Sequence, residues 1–111
     1  MIDFLIAEEY IRSIMERFRS PFGEVELTKE REYHIFQFHP EVRAYRRHFA
    51  MALENPEIMR RSKSDSSVYI LYHSLSSRKQ KSMYLGIVIK TNKRNFILTA
   101  YLTTKIQHQS L

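Results

Sequence analysis

The chain has no cysteine. That removes disulfide frameworks, thiolate metal sites and thiol nucleophiles together, so any chemistry must come from oxygen and nitrogen side chains. Only two glycines and three prolines occur among 111 residues, against 13% aromatics. This excludes a collagen-like, low-complexity or disordered chain. Long hydrophobic runs are also missing: the longest are about six residues, where a membrane span needs roughly 20. The opening MIDFLIAEEY lacks a basic start and sets Asp3 and Glu8 around a very short apolar run, so it does not read as a signal peptide. A cytoplasmic protein without membrane association is expected.

What is present is an apolar content of 43%, enough for one sizeable core, in a chain of single-domain length. Eighteen Lys and Arg face twelve Asp and Glu, a net charge of +6. The distribution is uneven: residues 1–40 carry five basic and eight acidic side chains, and residues 41–111 carry thirteen and four. The basic part has the composition of a polyanion-binding surface, and Arg43 and Arg47, one helical turn apart, belong to it.

Ala7, Tyr10, Ile11, Ile14, Met15 and Phe18 recur at helical spacing and stop before Ser20-Pro21-Phe22-Gly23, predicting a first helix. Glu24 to Leu27 is a short strand or extended entry. Thr28 can cap a second helix with Glu30 and Glu32 in its first turn, ending near His39-Pro40. Pro40 suits the start of a third, whose stripe is Val42, Tyr45, Phe49 and Leu53, before Asn55-Pro56 stops it. The period then changes. Val68 to Leu75, Met83 to Lys90 and Phe96 to Thr103 read as an antiparallel meander, with a weaker strand at Glu57 to Arg61. The expected fold is α+β, with N-terminal helices packed on one face of a three- to four-stranded antiparallel sheet.

A hairpin centred near Lys79 pairs Tyr72 with Leu85, and a turn at Lys93-Arg94 pairs Ile87 with Ala100 and Leu85 with Leu102. In that register the open face gathers His73, Tyr84, Lys90, Thr99, Tyr101 and Thr103, with His73, Tyr84 and Thr103 in one cross-strand row. Tyrosines that stack on bases and cations that meet phosphates suit a nucleic-acid groove. His34 and His39, five residues apart, lie about 140° around a continuous helix and cannot share a metal there, although a break at Pro40 could bring them together. Their spacing matches no zinc motif, so neither a metal nor a cofactor is expected.

The segments VELTKEREYHIFQFHPEV (Val25 to Val42), ALENPEIMRRS (Ala52 to Ser62), VYILYHS (Val68 to Ser74), YLGIVIK (Tyr84 to Lys90) and FILTAYLTTKI (Phe96 to Ile106) occur in an order that resembles the barnase–EndoU–colicin–RelE-like (BECR) fold. Within it they are similar to the phage- and plasmid-associated candidate nucleases. The resemblance implies residues 23–111 as the nuclease domain and residues 1–22 as an accessory N-terminal helix, within one compact unit. It also implies metal-independent RNA cleavage, often by a toxin held by an antitoxin. On that pattern His34 and His39 fall on the helical histidines, Lys90 on the strand-end lysine, and Thr99 and Thr103 on polar positions of the last strand. His73 stands where the pattern has an arginine.

Metal-free RNA cleavage needs a base for the 2′-hydroxyl proton, an acid for the leaving 5′-oxygen and cations for the phosphorane charge. Imidazoles suit the first two roles. His34 and His73 are the expected proton-transfer pair, with His39 in reserve; Lys90 with Arg31, Arg60 or Arg61 supplies positive charge. The expected activity is a toxin-like endoribonuclease, and the alternative is an RNA-binding or protein-interaction module of the same fold without turnover. Expected partners are RNA, an acidic antitoxin, and a second copy of the chain through the N-terminal helix.

Overall fold

The structure, a computed structural model, describes residues 14–76 and 83–107. They form one six-stranded sheet with the helical segments inserted between its second and third strands. The strands are β1 (Met15–Ser20), β2 (Gly23–Thr28), β3 (Ile58–Arg61), β4 (Val68–Ser74), β5 (Tyr84–Lys90) and β6 (Asn95–Thr103), in spatial order β1-β2-β6-β5-β4-β3. All neighbours are antiparallel except β2 and β6, which run parallel over Val25↔Asn95 and Glu26↔Phe96. The sheet is therefore mixed and larger than the three- to four-stranded antiparallel meander expected, and the described helices are not N-terminal to it.

Two strands account for much of that difference. Met15 to Phe18, expected as the end of the first helix, is strand β1, paired with β2 from Met15↔Thr28 to Ser20↔Gly23. Phe18 is buried in the core. The turn between the strands uses Ser20, whose Oγ accepts from Phe22 N–H and donates to Gly23 O, and Gly23 at φ 97°, a left-handed backbone that glycine adopts without strain. Residues 1–13, which carry most of that expected helix and the proposed self-association, lie outside the described residues.

The helical layer follows its punctuation. Helix α1 (Lys29–Phe38) starts at Thr28, whose Oγ1 accepts from Arg31 N–H at 3.1 Å. It has Glu30 and Glu32 in its first turn, where they complement the helix dipole. It ends at His39, before Pro40. A 3-10 segment (Pro40–His48) with non-helical backbone at Tyr45 leads into α2 (Phe49–Glu54). Val42, Phe49, Ala52 and Leu53 from this layer, with Ile35 of α1, pack against Val25, Leu27, Leu71, Leu85, Ile87, Ile89, Ile97 and Ala100 of the sheet. Fully burying each large apolar side chain contributes about 1.5–3 kcal/mol.

The β4 register differs from expectation by one residue. Leu71 pairs with Ile87 and Tyr72 with Gly86, so β4 turns Tyr69, Leu71 and His73 toward the helices and Ile70 and Tyr72 to the other face. The cross-strand row is Ser74, Tyr84 and Thr103, with His73 opposite Leu85 instead. Between β5 and β6 the expected pairs Leu85↔Leu102 and Ile87↔Ala100 occur, followed by a shift at Val88/Ile89 that sets Ile89 against Ile97. The face away from the helices is not fully open either. Gln107 N–H donates to Tyr72 Oη at 3.1 Å and Arg60 Nε donates to Gln107 O at 3.2 Å, so the chain after β6 returns over it and Tyr72 is fully buried.

Among the described residues, no helix is long and apolar enough to cross a membrane.

Candidate functional site

Ile35 is the buried anchor of α1. At helical spacing its neighbours Arg31, His34 and Phe38 share that side of the helix, which places them at the seam with β6. His39 then leaves the helix at φ −134°, ψ 66° while its N–H still donates to Ile35 O at 2.7 Å. That backbone change removes the 140° separation a continuous helix would impose. His34 and His39 line one cavity of about 520 Å³, together with Thr28, Arg31, Phe38 and Thr99.

Each histidine has a carboxylate beside it. Glu30 Oε1 lies 4.0 Å from His34 Nε2, and Glu41 Oε1 lies 3.4 Å from His39 Nδ1. Both are charge contacts rather than hydrogen bonds. Arg31 also lines the cavity, and its guanidinium makes no ion pair or hydrogen bond among the described residues. Thr99 contributes a hydroxyl from the β6 wall.

Tyr101 stands at the edge of this group, its ring 6.4 Å from that of His39. Its Oη is 3.4 Å from Tyr72 Oη. Burial first, then the hydrogen bond and charge interaction with Tyr72, push its phenol pKa well above the ordinary value. The phenol therefore keeps its proton near neutral pH. The two rings converge over Gly86, where an added Cβ would lie 3.1 Å from Tyr101 Cζ and 3.3 Å from Tyr72 Cε1. Glycine at that position makes the close approach possible.

The remaining expected residues lie elsewhere. Lys90 Nζ donates to Asp65 Oδ2 at 2.6 Å. With Ser67 N–H and Oγ–H donating to Oδ1, this bond holds the Asp65 carboxyl well below the usual carboxylate range. Thr91 N–H donates to Ser67 O at 2.7 Å, so the group fastens the β3–β4 connection to the end of β5. His73 is on the helix-covered face, its ring 5.4 Å from that of His48, with Nδ1 buried and 3.7 Å from Glu57 Oε1, beyond a good hydrogen bond. Thr103 Oγ1 caps a turn with Lys105, and Tyr84 packs edge-on to Tyr72. Arg60 donates to the carbonyls of Met59 and Gln107. Arg61 donates to Tyr69 Oη and lies over its ring. Arg43 lies over Phe36, and Arg47 is exposed on the 3-10 segment. None of these lines the histidine cavity.

Three contributors escaped the sequence reading. Phe38 is 77% exposed at the cavity wall, and its spacing from Arg31 and His34 was the available signal. Glu41 follows the Pro40 break directly, yet its role depends on how His39 turns. Arg46 binds Glu16 at 2.8 Å and Glu32 at 3.2 Å and lies over the rings of Phe18 and Phe49. It ties β1, α1 and α2 together, a structural use hidden within a run of basic residues. Among the described residues no three His, Asp or Glu side chains are grouped to hold a metal ion.

No protein-family model matches the chain, and no curated protein or solved structure matches it.

Proposed function

We propose that the chain is a metal-independent endoribonuclease of the toxin-like BECR kind, working at the cavity between α1 and β6. The observation that carries this reading is the convergence of His34, His39, Arg31 and Thr99 on one cavity. The resemblance is most specific at the histidine pair before Pro40, the lysine-ended strand and the Thr-Ala-Tyr strand; His34, His39 and Thr99 from the first and third line this cavity, while Lys90 of the second pairs with Asp65 instead.

In the proposed reaction one imidazole takes the proton of the 2′-hydroxyl as O2′ bonds to phosphorus. The other gives a proton to O5′ as the P–O5′ bond breaks, leaving a 2′,3′-cyclic phosphate and a free 5′-hydroxyl. Each transfer supplies roughly 10² to 10⁴-fold. Arg31 presents its fork to the phosphoryl oxygens, where charge builds in the phosphorane. The Glu30 and Glu41 carboxylates set negative charge near the two rings.

A non-cleaving RNA-binding module is the second reading. It is favoured by the placement of Lys90, His73 and Thr103 outside the cavity. Matched RNA and DNA oligonucleotides incubated with the protein in EDTA separate the two. The nuclease cuts the RNA and spares the DNA, whereas the binding module retains RNA intact.

A further inference from the structure

A second cavity of about 490 Å³ adjoins the first, and the two share Thr28 and Arg31. Its far side is the β5–β6 turn, with Asn92, Lys93 and Arg94, and its floor includes Phe96 at the start of β6. The groove therefore passes from Phe38 and His39, across Arg31, to Lys93 and Phe96.

The chemistry of this second cavity is particular. Arg94 is already committed: its Nε and Nη2 donate to Glu26 Oε1 at 3.1 and 2.8 Å, so this pair builds the wall. Lys93 is exposed, and its ammonium makes no ion pair among the described residues. Phe96, which lines the same cavity, is a large apolar ring left 37% exposed. A cation with no ion-pair partner among the described residues, in one cavity with an exposed aromatic ring, fits a nucleotide, with the base on the ring and the phosphate on the ammonium. A purely acidic ligand would leave Phe96 unused.

We propose that this cavity is a subsite for the nucleotide adjoining the one in the histidine cavity, with Arg31 at the phosphate that joins them. Single-stranded RNA then lies along α1 with one nucleotide in each cavity. The proposal rests on the RNA reading above but does not depend on turnover.

The test uses a 2′-O-methyl RNA tetranucleotide, which lacks the nucleophilic hydroxyl and cannot be cut by the proposed route, and the same strand with abasic sugars. Affinity is measured for the wild type, Phe96→Ala and Lys93→Ala. Phe96→Ala should weaken the base-bearing strand about five- to hundredfold and leave the abasic strand unchanged. Lys93→Ala should weaken both strands and make the log–log salt slope shallower by about 0.7. Equal losses on the two strands for Phe96→Ala, or no loss for either variant, overturn the subsite, as does a wild type that binds neither strand. Each variant's thermal unfolding is recorded, and Lys93→Ala, on an exposed turn, keeps the test valid if Phe96→Ala misfolds. A wild type that binds in this pattern yet cuts no RNA leaves the subsite standing and rejects the nuclease.

Discussion

At the scale of single residues, the histidines that line the α1–β6 cavity differ from those packed elsewhere in the fold. His34 and His39 are partly exposed and belong to no buried cluster. Replacing either by alanine should lower kcat by about 10² to 10⁴-fold with little change in the unfolding midpoint, read by single-turnover cleavage beside a urea titration. His48 behaves differently. Desolvation, then the Arg47 charge and then His73 push its pKa below the ordinary histidine value. The folded state thus binds fewer protons there than the unfolded chain, so this contribution is present above about pH 6.5 and is lost as pH falls through that range. His48→Gln should flatten the fall in urea midpoint between neutral pH and pH 5, and an unchanged slope would contradict this assignment. His73 illustrates why roles at this scale were hard to read. Its chemistry was plain in the sequence, but its use depended on which face of β4 it occupied.

At the scale of elements, α1 was legible nearly to the residue, because Thr28, the paired glutamates and Pro40 are local signals that need no tertiary context. Thr28→Ala should destabilise the protein by about 0.5–2 kcal/mol and also loosen the turn that presents Arg31, seen as weaker RNA binding. The β4 register was not legible. The strands end at Ser74 and Tyr84, and so long a connection sets no parity, so the apolar residues on both sides of β4 fit either choice. Leu71, not Ile70, faces the helices with no exposure. Leu71→Ala should therefore cost about 2–5 kcal/mol; a loss under 1 kcal/mol would favour the slipped register. Strand β1 was misread because only Phe18 is buried in it. One buried position in six leaves no alternation to see, while Met15 and Phe18 also satisfy helical spacing.

At the scale of the whole molecule, the sequence indicated that helices and strands would share one core but not how they would be ordered. The parallel β2–β6 contact spans two residue pairs, and nothing local announces it. Yet this contact creates the candidate site. Beyond Phe96 strand β2 gives way to α1, and the edge of β6 faces the helix across a cavity. On the sheet face away from the helices, where the site was expected, the chain following β6 folds back over Tyr72, and His73 lies on the opposite, helix-covered face. The charge asymmetry along the chain does not locate the groove, because Lys93 comes from the basic part and Arg31 from the acidic part. The central claim is that this cavity cuts RNA through its 2′-hydroxyl with two histidines and no metal. The most direct measurement is mass spectrometry of one RNA oligonucleotide after incubation in EDTA with the wild type and with the His34→Ala/His39→Ala double variant. The account predicts fragments ending in 2′,3′-cyclic phosphate and 5′-hydroxyl from the wild type and intact RNA from the folded double variant. Intact RNA with both proteins, or equal cutting by both, would contradict it.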